Sequence, residues 1–105
     1  MKVILSINTA NNKEITVGVI IDGKDHVLQQ SLDTRKAQVV LPLVEKLLQK
    51  NKLSLQDITE IQVNPGPGSF TGLRVGVAIA NTLGFLLTVP INGKKVGEFV
   101  EPAYN

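Results

Sequence analysis

Asn64-Pro65-Gly66-Pro67-Gly68-Ser69-Phe70-Thr71-Gly72-Leu73-Arg74-Val75-Gly76 lies between a run of strand formers at 58–64 and a long apolar segment that ends near Leu87. Pro65 and Pro67 stiffen the backbone, Gly66 and Gly68 permit positive φ or close approach, and Ser69 or Thr71 can cap a helix that starts there. The reading is strand, stiff turn, helix, with the helix over 71–87. Amides at a helix N-terminus also suit a phosphate or carboxylate. No lysine follows the glycines as it does in a P-loop, and the spacing does not match G-x-G-x-x-G. Spacing alone therefore favours a capped turn over an anion cradle.

In the helix that follows, Gly72, Gly76, Ala80 and Gly84 recur every four residues and form one ridge of small side chains. Glycine inside a helix costs about 0.5–1 kcal/mol relative to alanine, so the ridge implies that something approaches the backbone closely. That neighbour is either the domain's own sheet or first helix, or a second chain. Leu73, Val75, Val77, Ile79, Leu83, Phe85, Leu86 and Leu87 make the helix apolar nearly all round, with Arg74, Asn81 and Thr82 the exceptions. Such a helix is expected to be covered on more than one side. The apolar stretch 75–89 falls short of the roughly 18 residues a membrane span needs, so the expectation is a buried helix of a soluble protein.

Working outward, Val3, Leu5 and Ile7 predict a mostly buried first strand, 15–21 a second, and 26–31 a third, with Asp22-Gly23 as the hairpin turn between the last two. Asp33 or Thr34 can cap a helix over 35–51, whose stripe is Val40, Leu43, Val44, Leu47 and Leu48, broadened by Ala37, Val39 and Leu41. Pro42 falls inside it and is expected to remove a hydrogen bond and kink it. Ser54-Leu55-Gln56-Asp57 reads as a capped turn into a fourth strand at 58–64, and a short fifth strand is expected at 89–92. The whole predicts an α/β fold: a single lobe with a mixed five-stranded sheet and two main helices, residues 1–92, followed by a short tail at 93–105. Two wide-striped helices on one small sheet suggest an exposed pair that closes against a second pair from another chain.

Composition removes several classes of function. At 105 residues the chain is one domain, and with no cysteine it has no disulfide framework, thiolate nucleophile or thiolate zinc site. His26 is the single histidine, so neither a His-rich metal site nor a triad has its parts, and no metal or cofactor is expected. A net charge of +2 with 4% aromatic residues provides neither a basic groove nor a stacking platform for direct tRNA binding. The N-terminus lacks a secretory leader pattern, and a cytoplasmic location without membrane attachment is expected.

The run from Pro65 to Gly76 closely resembles the signature of the TsaB (YeaZ) proteins, as do Leu41-Pro42 in the first helix, Leu53-Ser54-Leu55-Gln56-Asp57-Ile58 and Val89-Pro90-Ile91. The resemblance covers residues 2–92. It implies a ribonuclease H-like lobe of the actin-like superfamily and a non-catalytic partner of a TsaD-type transferase, which places a threonylcarbamoyl group on the adenosine beside the anticodon of certain tRNAs. It implies a homodimer at rest, a heterodimer with TsaD, a wider complex that includes a TsaE-type ATPase, and only indirect contact with tRNA. Combined with the exposed-pair argument, it selects Val39, Val40, Leu43 and Leu47 on the first helix and Gly72, Gly76, Val77, Ala80 and Gly84 on the second as interface positions. Gly76→Arg is then expected to block docking while sparing the fold more than a core change would. Pro65, Gly66, Pro67, Gly68, Ser69, Phe70, Thr71, Gly72 and Arg74 form the family motif.

Three departures bear on function. Relatives carry a second lobe, and Glu101-Pro102-Ala103-Tyr104 resembles the segment that closes them, as though a lobe had been removed after Val89-Pro90. Where relatives show Asp-Thr-Ser, this chain reads Asn8-Thr9-Ala10, and Asn8 lacks the charge that phosphotransferases of the superfamily use to position a metal-bound phosphate. The family's His-Ser before Leu-Pro is Lys36-Ala37. The alternative, a nucleotide-binding or hydrolysing protein, would have to draw on Asp22 and Asp25, which sit where hairpin turns favour aspartate.

Overall fold

The computed structural model describes residues 1–11, 13–31 and 36–103. Strands β1 (Val3–Asn8), β2 (Glu14–Ile21), β3 (Lys24–Ser31) and β4 (Glu60–Val63) form one sheet in the order β3-β2-β1-β4. The first three strands are an antiparallel meander, and β4 joins β1 in parallel. The crossover between β3 and β4 contains helix α1 (Lys36–Lys50), and helix α2 (Phe70–Leu87) follows β4. At the β2–β3 turn Asp22 and Gly23 both have positive φ, 48° and 88°, as a two-residue hairpin of matching twist requires. The Asp22 carboxylate also accepts the Lys2 amide at 2.8 Å, tying the turn to the start of β1.

Alternation along the strands sends Val3, Leu5, Ile7, Ile15, Val17, Val19, Ile61 and Val63 to one face, where all are buried. Helix α1 lies against β2 and β3 and α2 against β4 and β1, both on that face. The helices supply Val40, Val44, Leu47, Val77 and Ala80 to the same cluster, and Leu73 on α2 is fully buried as well. Each large aliphatic side chain so buried contributes about 1.5–3 kcal/mol. On the opposite face Ile4, Ser6, Thr16 and Ile20 remain half-buried.

Helix α1 runs unbroken through Pro42. Pro42 and Gln38 are both exposed, so water can reach the Gln38 carbonyl that loses its donor. At the other end Asn51 Nδ2 donates to the Leu47 carbonyl at 2.9 Å, and the chain reverses through Lys52 at φ 58°. The expected caps Asp33 and Thr34 lie outside the described residues. Ser54 to Asp57 forms the expected capped turn, a single 3-10 turn over Leu55–Asp57 with the Ser54 amide donating to Asp57 Oδ2 at 2.8 Å.

Two expectations need correction. The fifth strand is reduced to one parallel bridge between Ile61 and Ile91. Ile61 N–H donates to the Pro90 carbonyl at 3.0 Å and Asn92 N–H to the Ile61 carbonyl at 2.9 Å. Asn92 and Gly93, with φ of 52° and 74°, then turn the backbone away. The Asn92 side chain takes the next place in the ladder: Val63 N–H donates to its Oδ1 at 2.8 Å, and its Nδ2 donates to the Val63 carbonyl at 3.0 Å. A side-chain amide thus replaces the peptide group of a longer strand. The closing segment, expected as a tail, lies against α2, with Val100 buried in the core cluster.

Candidate docking face and the loop beneath it

Ser69 is the N-cap of α2, its hydroxyl accepting the Gly72 amide at 3.4 Å, while the Leu73 amide reaches the Ser69 carbonyl at 2.8 Å. Pro65 and Pro67 have no amide hydrogen, and the Gly66–Pro67 bond is cis. The Gly66 amide donates to Asn64 Oδ1 at 2.9 Å and the Ser69 amide to the Ala10 carbonyl at 2.8 Å. The amides of Gly66, Ser69 and Gly72 are thus engaged by the chain itself. The arrangement is a joint between the end of β1 and the start of α2, matching the capped-turn reading of the spacing.

Glycines make the joint close. A Cβ on Gly68 would come within 2.7 Å of the Ala10 Cβ, and one on Gly66 would meet the Ala103 carbonyl. Asn8 Oδ1 accepts the Ala10 amide at 3.1 Å and Asn64 Nδ2 at 3.2 Å, so Asn8 serves as a neutral turn former where a phosphotransferase holds a charge. His26 sits on β3 opposite Val19 and Asp25 opposite Ile20, remote from this loop along the sheet. Among the described residues no cluster of carboxylates and imidazoles could hold a metal ion.

The small-residue ridge faces inward. Thr9, fully buried just past β1, donates from Oγ1 to the Gly72 carbonyl at 2.5 Å. A Cβ at Gly76 would collide with that same Oγ1, and one at Gly84 would collide with the Ile91 side chain. Ala80 is fully buried, and Gly72 is buried with it. Of the two neighbours that spacing allowed, the ridge meets its own sheet and the segments that follow β1 and α2. Val40, Leu43, Leu47 and Val77 are buried in the same core, and Val39 is half-buried. A side chain already buried by its own chain has no surface left for a partner. The assignments of Val40, Leu43, Leu47, Gly72, Gly76, Val77, Ala80 and Gly84 are therefore corrected, half-buried Val39 alone among the nine keeps surface, and Gly76→Arg becomes a change to the core.

The exposed apolar surface lies a quarter-turn or more away on α2. Leu41, Ala78, Ile79, Thr82, Leu83 and Leu86 line an open groove of about 350 Å3 between the two helices. Phe85 and Leu86 are each 68% exposed and Leu41 is 42% exposed. Thr71 and Arg74 are exposed on the first turns of α2. Periodicity found the helix pair but could not rank its faces, because both carry apolar residues. The signal that could have ranked them is Thr9-Ala10, small residues at a strand end that match the space left by Gly68 and Gly76.

Comparison with known proteins agrees with this architecture. A family model described as "TsaD: tRNA N6-adenosine threonylcarbamoyltransferase" matches residues 30–93, the part that holds α1, β4 and α2. The chain is 36% identical over 92 residues to the tRNA threonylcarbamoyladenosine biosynthesis protein TsaB of Bacillus subtilis, covering 85% of this chain and 39% of that protein. It is 34% identical over 90 residues to TsaB of Escherichia coli, covering 86% and 38%. Among solved structures, YeaZ from Pseudomonas aeruginosa superposes with a TM-score of 0.82 at 26% identity, over 90% of this chain and 44% of that one. The chain thus spans about two-fifths of the length of the curated relatives it matches.

Proposed function

The chain belongs to the TsaB (YeaZ) family, and from that premise we propose that it is a non-catalytic docking subunit in the formation of threonylcarbamoyladenosine in tRNA. It binds a TsaD-type transferase through the outer face of α1 and α2 and forms a homodimer through the same face when alone. A TsaE-type ATPase joins the wider complex, tRNA is contacted indirectly, and the assembly works in the cytoplasm. The observation that carries this reading is the groove of Leu41, Ala78, Ile79, Thr82, Leu83 and Leu86, flanked by Phe85. Large apolar side chains presented together on two adjacent helices are what a helical partner covers. A scaffold role also fits the loop, whose amides Gly66, Ser69, Gly72 and Leu73 bond within the chain.

Light scattering after size exclusion, on the chain alone and then mixed with the TsaD-type protein of the same organism, tests this directly. The expected result is a homodimer that exchanges into a one-to-one complex, with Leu86→Glu weakening the complex at least tenfold, about 1.4 kcal/mol. A stable monomer that ignores the transferase overturns the proposal. So does metal-dependent nucleotide hydrolysis by the purified chain.

A further inference from the structure

Asn92-Gly93 is the one place in the sequence where an asparagine precedes a glycine. The main-chain nitrogen after an asparagine can attack that asparagine's own Cγ and close a five-membered imide, and glycine, with no Cβ beside the nitrogen, obstructs the approach least. As the N–Cγ bond forms, the Cγ–Nδ2 bond breaks, the attacking nitrogen gives up its proton and Nδ2 leaves as ammonia. Water then opens the imide: attack at Cγ gives aspartate, and attack at the main-chain carbonyl gives isoaspartate. Asn8, Asn51 and Asn81 precede Thr9, Lys52 and Thr82, whose side chains crowd that nitrogen, and Asn64 precedes Pro65, which has no N–H.

Asn92 and Gly93 are both exposed, so water, the second reactant, has access to them. Ring closure also requires the carboxamide to swing toward the Gly93 nitrogen and the peptide between them to turn to meet it, and the fold holds both. The Asn92 Oδ1 accepts the Val63 amide at 2.8 Å while its Nδ2 donates to the Val63 carbonyl at 3.0 Å, so the carboxamide cannot rotate without giving up both bonds. The group that must leave as ammonia is thus itself a bound donor. The Lys94 amide donates to the Ile91 carbonyl at 3.0 Å, closing a turn whose central φ values, 52° at Asn92 and 74° at Gly93, fit type I′. Below the turn, the Asn92 amide is bonded to the Ile61 carbonyl at 2.9 Å, and the buried Ile91 side chain fills the space that Gly84 leaves.

We infer that Asn92 is a site of spontaneous deamidation that the fold keeps silent and that local opening of the segment 90–94 releases. The reaction runs one way. A carboxylate has no hydrogen to offer, so after deamidation the Val63 carbonyl loses its donor and faces a negative charge. Isoaspartate in addition lengthens the main chain by a methylene and shifts the turn. Either product leaves the ladder at Val63 without its last pair of bonds, so an opening that lasts long enough becomes a permanent mark on the chain. The inference stands on the Asn92–Val63 pairing and is independent of the docking role.

Peptide mapping by mass spectrometry tests it, on the full chain aged in mildly alkaline buffer with and without guanidinium chloride. Deamidation is read as the mass gained when ammonia is exchanged for water in the peptide that holds Asn92. It should run at least about tenfold slower in native buffer than in denaturant. Ile91→Ala, which loosens the base of the turn and leaves Asn92-Gly93 intact, should speed the native rate severalfold and leave the denatured rate unchanged. If that variant does not fold, the wild-type rate followed through the guanidinium transition gives the same reading, because it should rise in step with the open fraction. Asn92→Asp, which reproduces one product, should lower the midpoint of unfolding and speed hydrogen exchange at the Val63 amide. Equal rates with and without denaturant overturn the gating, as does a native rate unmoved by loosening. Absence of deamidation in both buffers overturns the site, and an unchanged midpoint and exchange rate in Asn92→Asp overturn its consequence.

Discussion

On α2 the inward face carries the ridge Gly72, Gly76, Ala80 and Gly84 beside Leu73 and Val77, while the outward face offers Phe85 and Leu86. Inside, the space is set by Thr9, which must come near enough to hold the Gly72 carbonyl, and by Ile91 folding back beneath the last turns. A side chain on the helix would occupy the place those two fill. Outside, the described residues leave Phe85 and Leu86 largely uncovered, an exposed apolar area that costs about 25 cal/mol per Å2. The difference teaches that small residues at a four-residue spacing mark the tightest contact of a helix, which need not be its contact with a partner.

The largest effect should come from breaking the inward face. Gly76→Arg is expected to lower stability by more than about 4 kcal/mol, enough to abolish cooperative unfolding in a domain of this size. A far-UV circular dichroism melt resembling wild type would refute the inward assignment. Next comes a double-mutant cycle that isolates the contact. Gly76→Ala alone should cost about 1–3 kcal/mol despite the better helix propensity of alanine, because its methyl displaces the Thr9 hydroxyl from the Gly72 carbonyl. In the Thr9→Ala background much of that cost should disappear, giving a coupling of about 1–2 kcal/mol in urea titrations. The smallest effect belongs to the outward face, where Leu86→Glu should change stability by less than about 0.5 kcal/mol while raising solubility. A large loss of stability there would show that Leu86 is held by its own chain.

Most of the fold was legible because its signals are local. Alternation in 3–7 and 15–19, Asp22-Gly23 at the hairpin, Ser54 and Asp57 at the 3-10 turn and Ser69 before α2 each specify their own neighbourhood. What escaped reading depends on contacts distant in sequence. Asn92 looks like a turn residue, and only the position of Val63 makes it the end of a ladder. Val100 is one of three apolar residues, with Val96 and Phe99, in an irregular stretch, and only Asn81, nineteen residues back, turns it into an anchor. The pair of helices was legible, and which of its residues are exposed was not. Spacing assigns Leu41, Ala78 and Leu86 to a side of a helix without saying which side the sheet takes.

The amide of Asn92 standing in a peptide's place also governs how the molecule behaves in a crowd. A strand edge with free N–H and C=O groups is a template onto which another chain can add. At β4 the Val63 pair that would serve as that template is already satisfied within the chain. The opposite edge is β3, where Lys24 and Asp25 begin the strand and Gln29 and Gln30 near its end are exposed. One border is closed by a mimic of backbone and the other carries charge at its entry. Along β4 the sheet is therefore poorly suited to cross-chain extension, which leaves the helical side as the surface for the association proposed above.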